Sequence, residues 1–494
     1  MPHWPSAARH RPVQFLALLL LLPGTARAGG FTIPLVGARM LGQAAFTTHP
    51  DDTTTIYHNP AGLLLLPAWR ADVSGTGILA GTYYDRIDYP QLGTSGEFDT
   101  SRAPGGACPV EGAAAGYDAQ GFVLEPCFRP TVEPESRFGV IPFAGVAAPL
   151  GDLPVALGIG LYSPHNATAA FPADGAQRYQ VIDGSITTVY VTPTLALRAH
   201  PSLLVGLGFS YIRANASLRR AFWLPAGLNP EEIVIDLDST GTAYGYNTGL
   251  IFLPGELAAP LAGLELSLGY TSAADLRFQG DIRVLGAGPL LGPLFEPDFQ
   301  EGQAITREAT AEFTVPDTVR AGIGYTLGEV FWIGLDIYYN RYSLYDELTI
   351  RLREPLGTLQ EFAERKDSFD CWSLGTGVRV TPQPFVDLRA GFFYDGSPYP
   401  DRTFSILSPD SDKRGVTGGL SLRIVAGLEL SLGYMALWYV DRQVSDSDLR
   451  PGFTLGGAEF RAPFSGNGQV VDKLVHIGAV QLSYTGAGSP RAAD

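Results

Sequence analysis

The chain has 494 residues and carries 34 Lys and Arg against 50 Asp and Glu, a net charge of -16 at pH 7. This acidic balance argues against a nucleic-acid partner, which needs a cationic surface. Hydrophobic residues make up 45% of the chain and glycine contributes 59 residues, so the length suits either several soluble domains or one large barrel.

The first 28 residues have the pattern of a secretion signal. Arg9 and Arg11 give a positive n-region, residues 15–22 form an apolar run, and residues 26–28 (Ala-Arg-Ala) fit an A-x-A cleavage site. The apolar run is too short for a transmembrane helix. We therefore expect an exported protein whose mature chain starts after residue 28.

A polar segment at 51–63 follows the signal and does not alternate as a strand would. Its Asn59-Pro60-Ala61 run predicts a turn, because Pro fixes φ and Asn can hydrogen-bond its own backbone. This segment is either a linker turn or the neck of a separate hatch over residues 29–67. In a hatch, Asp51 and Asp52 need partners such as inward arginines, since unpaired buried acids are costly.

Alternating strands fill residues 68–485, and residues 486–494 form a tail. In the heptamer at 264–270, Leu-Glu-Leu-Ser-Leu-Gly-Tyr, leucine and tyrosine share one face, and the same heptamer recurs at 428–434. That face meets a core in a soluble sandwich and lipid in a membrane barrel. Many patterned segments reach the length that crosses a bilayer at a tilt, and no apolar run beyond the signal reaches that of a transmembrane helix, which favours the barrel.

The pattern predicts an all-β protein, a transmembrane antiparallel β-barrel of about fourteen strands. Connections after even-numbered strands are mostly short and those after odd-numbered strands mostly long, as in outer-membrane barrels. The predicted strands lie near 69–86, 136–149, 155–164, 186–199, 203–221, 232–253, 264–282, 306–326, 330–350, 365–381, 385–395, 414–425, 428–442 and 472–485.

Residues with potential for covalent or metal chemistry are few. Cys108 and Cys127 flank a Gly/Ala-rich stretch and can form a disulfide in an exported protein, whereas Cys371 lies in a strand pattern. Histidines are sparse, and the chain has no G-x-S-x-G run, metal-spaced His/Cys cluster or phosphate loop. We therefore expect no enzyme, no metal site and no cofactor.

Five blocks of sequence follow one another along nearly the whole mature chain. They are residues 42–63 with the Asn-Pro-Ala run, 158–164 (Gly-Ile-Gly-Leu-Tyr-Ser-Pro), 269–275 (Gly-Tyr-Thr-Ser-Ala-Ala-Asp), 313–336 (Phe-Thr-Val-Pro-Asp to Trp-Ile-Gly-Leu-Asp) and 394–434 (Tyr-Asp-Gly-Ser-Pro to Gly-Tyr). Together these blocks resemble the FadL/TodX/OmpP1 family of outer-membrane transporters for long-chain fatty acids and other hydrophobic compounds.

The resemblance implies a fourteen-stranded barrel closed by an internal hatch. It also implies capture of a hydrophobic ligand (a fatty acid, alkane or aromatic compound) in an external groove, a deeper pocket beside the hatch, and a third-strand kink that opens the wall toward the membrane. We expect a monomer in the outer membrane of a Gram-negative bacterium, in contact with lipid and lipopolysaccharide. The chain departs from the family in an enlarged loop at 87–135 and in the tail after Tyr484.

Three groups of residues are candidates for transport, each with a structural alternative. Gly158 and Gly160 either form the third-strand gate or accommodate ordinary barrel tapering. The inward arginines either meet an anionic head group or, as we prefer, pair with neighbouring acids. Apolar loop residues either capture ligand or pack the loops together. The arginines are Arg198, Arg320, Arg389 and Arg423, and the loop residues are Phe222, Trp223, Leu224, Leu285, Leu290, Leu291, Leu294 and Phe295.

The sequence favours uptake of hydrophobic compounds by facilitated diffusion through a plugged barrel, with lateral release into the membrane. Two alternatives stay open. One is a general porin for polar solutes, which needs an open lumen. The other is a structural or adhesion barrel that uses the enlarged first loop.

Overall fold

The computed structural model describes residues 36–80, 83–85, 91–92, 98–99, 131–135, 138–173, 175–222, 233–328, 330–407, 410–449, 452–455, 458–461, 467–471 and 474–486. The predicted secretion signal, Cys108, Cys127, Trp223, Leu224 and most of the tail lie outside these residues. In the described part of the chain, no helix is long and apolar enough to span a membrane.

Nineteen strand segments form one antiparallel sheet. In chain order they are β1 (Arg70–Leu79), β2 (Phe138–Pro149), β3 (Val155–Tyr162), β4 (Asn166–Ala170), β5 (Asp183–His200), β6 (Leu203–Phe222), β7 (Ile233–Phe252), β8 (Leu264–Thr271), β9 (Ala274–Leu285), β10 (Ile305–Val315), β11 (Thr318–Leu327), β12 (Phe331–Asn340), β13 (Glu347–Leu356), β14 (Leu359–Arg365), β15 (Cys371–Gln383), β16 (Val386–Asp395), β17 (Lys413–Val425), β18 (Leu428–Tyr439) and β19 (Val475–Thr485). Because β1 pairs with both β2 and β19, the sheet closes into a barrel.

The segments make fourteen barrel strands, because five strands are interrupted. The third strand consists of β3 and β4, the seventh of β8 and β9, the eighth of β10 and β11, the ninth of β12 and β13, and the tenth of β14 and β15. The predicted fourteen-stranded antiparallel barrel is confirmed. A break in the third strand was expected from the resemblance, whereas the interruptions of the other four strands were not predicted. The ninth and tenth strands continue to a tight turn at 357–358 instead of ending near 350 and starting near 365.

Burial alternates along the strands, as their period of two requires. On β6, Leu207, Phe209 and Tyr211 point outward and are 53%, 54% and 38% exposed, while Ser210 and Ile212 point inward and are buried. An outward apolar face with aromatic residues and a mixed inward face are typical of a barrel whose wall meets lipid.

Residues 36–66 lie inside the barrel and are called the hatch below. The hatch contains α1 (Ala38–Gln43), α2 (Thr55–His58) and a 3-10 helix at Pro60–Leu65. Its residues are almost all buried, and they contact β15, β16, β17 and β18 on one side and β3, β5, β6 and β7 on the other. The hatch therefore fills the lumen at its own level.

The connections carry short elements of their own. They are α3 (Gly292–Phe295), 3-10 helices at Ala176–Tyr179, Pro254–Glu256, Ala259–Leu261, Tyr342–Leu344 and Asp401–Thr403, and short strands at Tyr83–Asp85, Gln91–Leu92, Phe98–Asp99, Thr131–Val132, Arg442–Val444, Gly452–Leu455, Ala458–Arg461 and Gly468–Val471.

Candidate transport site

Inward glycines form the surface on which α1 rests. A Cβ on Gly377 or Gly391 would overlap the carbonyl oxygen of Gln43, and one on Gly433 would overlap that of Ala38. Because glycine lets another backbone approach a strand closely, these positions bring the hatch backbone directly onto the wall. We call Gly375, Gly377, Gly391 and Gly433 the glycine seat.

A cluster of buried charges holds the hatch to the wall. Oδ2 of Asp51 lies 2.6 Å from Arg39 of the hatch and 3.1 Å from both Arg379 and Arg389 of the wall. Arg39 also pairs with Glu429 on β18. Burial opposes ionisation of Asp51, but the charges of Arg39, Arg389 and Arg379 hold its pKa well below its ordinary value. Asp51 is therefore ionised at neutral pH and carries the attachment.

Asp52 faces a different part of the wall. Its Oδ1 accepts a hydrogen bond from the backbone N of Thr54 at 2.9 Å, and its Oδ2 accepts one from Nε2 of Gln481 on β19 at 2.8 Å. Burial, followed by the nearby charge of Asp72, raises the pKa of Asp52. Asp52 thus orders the start of α2, whereas Asp51 carries the ion pairs.

The Asn-Pro-Ala run ties the two halves of the hatch together. Nδ2 of Asn59 donates to the carbonyl oxygen of Thr47 at 2.9 Å and to that of Leu250 on β7 at 3.2 Å. Its Oδ1 accepts from the backbone N of Ala61 at 3.2 Å, which caps the 3-10 helix that Pro60 begins. One side chain thus links the hatch to itself and to the wall.

The third strand leaves its neighbour halfway along its length. β3 pairs with β2 only up to Phe143 and Tyr162, and β4 pairs with β5. Within the described residues, 138–142 of β2 pair with β1 but have no ladder partner on the third strand. We call this stretch, between 138–142 and 163–170, the side gap. Pro164 lies in the interruption and cannot donate a ladder hydrogen bond.

The interruption does not fall at Gly158 and Gly160, where the sequence placed it. Both glycines lie in the paired part of β3. A Cβ on Gly158 would lie 3.2 Å from Ile56 and from Leu63, and one on Gly160 would lie 3.1 Å from Ile56. The two glycines leave room for the hatch, and the strand breaks a few residues later.

An apolar cavity of about 120 Å³ lies above the hatch. An engineered apolar cavity of about 150 Å³ holds benzene, so this space suits one aromatic ring or a short length of alkyl chain. Its lining includes Ala167 of β4, which places the cavity beside the side gap. Other lining residues are Ile186, Leu237, Phe278, Phe313 and Leu348.

A smaller chamber of about 20 Å³ lies between the cavity and the hatch. The ring of Tyr57, from the hatch, meets Tyr162 edge-on at 5.4 Å, and Tyr162 stacks on Tyr190 at 5.5 Å. The hydroxyl of Tyr190 lies 3.1 Å from Nδ1 of His165, inside the third-strand interruption. These rings, with Arg320, line what we call the tyrosine chamber, and they connect the hatch to the side gap.

Arg320 is the cation of the tyrosine chamber. It is 4% exposed, its Nη1 donates to Oγ1 of Thr271 at 2.6 Å, and its guanidinium lies 5.1 Å from the ring of Tyr57. Burial raises the pKa of Tyr57, so its hydroxyl stays protonated at neutral pH. Among the described residues, Nε of Arg320 has no hydrogen-bond partner.

The other three candidate arginines have partners elsewhere. Arg389 pairs with Asp51 of the hatch. Arg423 lies 2.9 Å from Asp387 and is 43% exposed at the end of the lumen. Arg198, at the same end, donates to the carbonyl oxygen of Pro201 at 3.3 Å. The period of two places all four side chains on the inward face, but only Arg320 reaches the tyrosine chamber.

The apolar loop residues divide into two groups. Phe222, Leu291 and Phe295 are 1%, 0% and 4% exposed and pack into a core formed by the outer ends of the strands, so they serve loop packing. Leu285 is half-buried. Leu290 and Leu294 are 64% and 54% exposed. Among the described residues of this set, these two remain candidates for ligand capture.

Sequence reasoning missed the tyrosine chamber. Tyr162 and Tyr190 occupy inward positions of their strands, which the alternation indicates, but their stacking on each other depends on the register between β3 and β5. Tyr57 could have been singled out from the sequence, because it is an aromatic residue within the polar segment at 51–63. Within the described residues, no group of three His, Cys, Asp or Glu side chains is placed to hold a metal ion.

Comparison with known families and structures agrees with this architecture. Residues 19–473 match the family model described as outer membrane protein transport protein (OMPP1/FadL/TodX). No curated protein matches the chain.

Several solved structures share the fold. A FadL homologue of Pseudomonas aeruginosa has a TM-score of 0.72 at 15% identity, over 92% of this chain and 100% of that one. The toluene transporter TodX of P. putida has a TM-score of 0.61 at 11% identity, over 94% of this chain and 100% of that one. The toluene transporter TbuX of Ralstonia pickettii has a TM-score of 0.59 at 11% identity, with the same two coverages.

Proposed function

This chain belongs to the OMPP1/FadL/TodX family of outer membrane transport proteins, and we propose that it takes up hydrophobic compounds by facilitated diffusion. The observation that carries the proposal is the arrangement of the lumen. A hatch fills it at one level, the tyrosine chamber lies above the hatch, and the apolar cavity lies above the chamber and beside a break in the wall. The solved relatives are transporters and channels, two of them for toluene.

The proposed path runs from the outer loops to the membrane. Leu290 and Leu294 meet the ligand, the apolar cavity holds it, and the side gap releases it sideways. Burial of apolar surface supplies roughly 25 cal/mol per Å², so no chemical energy is needed for uptake into the cavity. Movement of the hatch clears the lower part of the path.

We also propose a location and an oligomeric state for the barrel. Its outward apolar and aromatic residues suit the outer membrane of a Gram-negative bacterium, with lipid and lipopolysaccharide against the wall. A closed sheet has no free edge for pairing with a second chain, which supports a monomer.

Deletion of residues 29–66 tests the function. We expect the variant to conduct ions and to lose discrimination between hydrophobic ligands, because the lumen at the level of the hatch would be empty. Conductance in planar bilayers and uptake of radiolabelled ligand by cells measure the two effects. A general porin predicts nearly unchanged conductance, so that result would overturn the proposal.

A structural or adhesion role of the first loop is tested by a separate deletion. Removal of 95–130 shortens the enlarged first loop and leaves the residues of the hatch, the cavity and the side gap in the chain. Unchanged uptake in this variant supports a separate role for that loop. If uptake is lost instead, the loop belongs to the transport path.

We propose that Arg320 receives the polar end of an amphipathic ligand such as a fatty acid. An Arg320→Gln variant is expected to take up an alkanoate with about tenfold lower affinity, since a hydrogen bond to a charged group is worth about 1.5–3 kcal/mol. Uptake of an alkane of the same chain length is expected to stay unchanged, because it has no group to meet the guanidinium. Concentration-dependent uptake of both ligands measures the difference.

The matched control is Arg423→Gln, which removes a lumen arginine that already pairs with Asp387. We expect this variant to treat both ligands like the unaltered protein. An equal loss of alkanoate and alkane uptake in Arg320→Gln would mean that Arg320 only holds Tyr57 in place. That outcome would remove the head-group role and leave the transport proposal standing.

A further inference from the structure

The ladder of the barrel wall is also interrupted between the eighth and ninth strands. β10 pairs with β13 up to Glu312 and Thr349, and β11 pairs with β12 starting from Thr318 and Asn340. Between these two ladders, residues 313–317 face the longer stretch 341–348. We call this place the second gap. A β-bulge sets two residues of one strand against one of its neighbour, whereas here five residues face eight with no ladder register between them, and a backbone hydrogen bond from Arg341 N to Asp317 O lies at one end of the stretch.

The apolar cavity reaches the second gap from inside. Phe313, Tyr345 and Leu348 line the cavity, and the rings of Phe313 and Tyr345 meet edge-to-face at 4.7 Å. The rest of the lining includes Ala167 and Ile186 on the third and fourth strands, beside the side gap. The cavity therefore crosses the lumen from one break in the wall to the other.

An ion pair closes the second gap from outside. Nε and Nη2 of Arg341 donate to the two carboxylate oxygens of Asp317 at 2.9 and 2.7 Å, and the hydroxyl of Tyr270 donates to the same carboxylate at 3.0 Å. The Arg341 side chain is 47% exposed, while that of Asp317 is 9% exposed. A backbone hydrogen bond of 3.0 Å from Arg341 N to Asp317 O crosses the same place.

The second gap lies at the height of outward aromatic residues. Tyr339, the last residue but one of β12, packs against Trp372 at 4.7 Å, and Trp372 is 47% exposed. Such residues mark the border between lipid and water in membrane barrels. The ion pair thus lies where the outer leaflet meets the polar region above it, with the cavity directly behind the Phe313 and Tyr345 rings.

We propose that the second gap is a port through which a hydrophobic molecule dissolved in the outer leaflet reaches the apolar cavity. The ion pair of Asp317 and Arg341 is its latch, and the rings of Phe313 and Tyr345 are its door. The port rests on the proposed transport function and adds a second source of ligand, the membrane itself. It accepts slender apolar molecules, an alkyl chain or a single aromatic ring, because the cavity behind it holds about that much.

A reversible cross-link across the latch tests the port. Asp317→Cys and Arg341→Cys are introduced in a background with Cys108, Cys127 and Cys371 replaced by Ala, and the pair is joined with a short bis-methanethiosulfonate reagent that dithiothreitol cleaves. The protein is reconstituted in liposomes. A terminally brominated alkane is supplied either dissolved in the bilayer or from water. Its arrival in the cavity is read from quenching of a tryptophan introduced at the lining residue Phe278, after the outward Trp69, Trp372 and Trp438 are replaced by Phe.

We expect the cross-link to stop arrival of the bilayer-dissolved probe, to leave arrival from water unchanged, and to be reversed by dithiothreitol. Unchanged arrival from the bilayer would overturn the port while leaving the transport function intact. Equal loss from both sources would also overturn it, since the cross-link would then block the shared lumen. If the unlinked protein takes up no probe from water, the transport function fails and the port fails with it.

A second variant does not depend on cross-linking. Arg341→Gln removes the latch and is expected to speed arrival from the bilayer about threefold, the effect that loss of one partly exposed ion pair allows. Its matched control is Arg283→Gln. Arg283 is also 47% exposed and pairs with Asp236 at 2.8 Å, but it lies in an unbroken ladder. The port predicts acceleration in the first variant and none in the second; equal rates in both would overturn it.

Discussion

An Asp51→Asn variant is expected to leak ions, because the Asp51 carboxylate is a main attachment of the hatch to the wall. Its Oδ2 lies within 3.1 Å of three arginines, Arg39 from the hatch and Arg379 and Arg389 from the wall. An amide of the same shape would leave these cations close together without their shared anion. Removing one partner of a buried ion pair costs about 3–5 kcal/mol, and we expect the lower end because 20% of the Asp51 side chain is exposed.

The leak is measured as single-channel conductance in planar bilayers. A loss of about 3 kcal/mol raises the fraction of time that the hatch is displaced by roughly a hundredfold. Asp448→Asn is the matched control, because Asp448 also pairs with an arginine but is 57% exposed in a loop. If Asp51→Asn inserts and folds but conducts like the control, the charge cluster does not hold the hatch.

Mild acid is expected to leave this attachment intact. A carboxyl whose folded pKa is lowered contributes stability above its unfolded pKa and loses it only as the pH falls through the folded value. The pKa of Asp51 lies well below its ordinary value despite burial, because of Arg39, Arg389 and Arg379. The ion conductance of the unaltered protein should therefore stay low from neutral pH to below about pH 4, where an ordinary aspartate titrates.

The fold was largely predictable because barrel strands leave a local signal. Each strand must present apolar residues to one side and smaller or polar residues to the other, and the duplicated heptamer at 264–270 and 428–434 shows this most clearly. The interruptions were harder to predict. Pro164 and Pro316 are visible in the sequence. Proline lacks a backbone N–H, so it breaks a ladder only where the neighbouring strand would accept a hydrogen bond from that position.

The site was predictable only in part because its residues act across the lumen. Period two places Arg320 and Arg389 on the same inward face, yet Arg389 meets Asp51 of the hatch and Arg320 meets Tyr57. Gly158 was assigned to a kink because a strand glycine often marks a bend. The structure shows instead that it gives space to Ile56, more than a hundred residues earlier in the chain. Contacts between residues so far apart in the sequence cannot be predicted from the spacing of residues within one strand.

A row of ring contacts in the tyrosine chamber joins the hatch to the wall. Arg320 lies against Tyr57, Tyr57 against Tyr162, and Tyr162 against Tyr190, whose hydroxyl reaches the interruption of the third strand. A head group that draws Arg320 away from Tyr57 would loosen the contact between the hatch and the last residue before the side gap. Binding and release would then be linked by one row of rings.

A Gly377→Ala variant is expected to displace α1 from the glycine seat and to open the lumen. The new methyl group would occupy the position of the Gln43 carbonyl oxygen, and a backbone atom cannot rotate away as a side chain can. Overpacking of this kind costs about 1–3 kcal/mol, and each 1.4 kcal/mol is tenfold in an equilibrium, so we expect at least a roughly fivefold increase in ion leak. Planar-bilayer conductance measures this, as for Asp51→Asn.

Gly418→Ala is the matched control for this substitution. Gly418 is also a strand glycine of the barrel, but a Cβ there would meet nothing within 4 Å, so conductance should not change. The same substitution at Gly377 in a protein lacking residues 29–66 should add nothing to the leak of the deletion, because the atom it displaces is gone. A further increase in that background would show that Gly377→Ala distorts the wall itself, and the glycine seat would then have no special relation to the hatch.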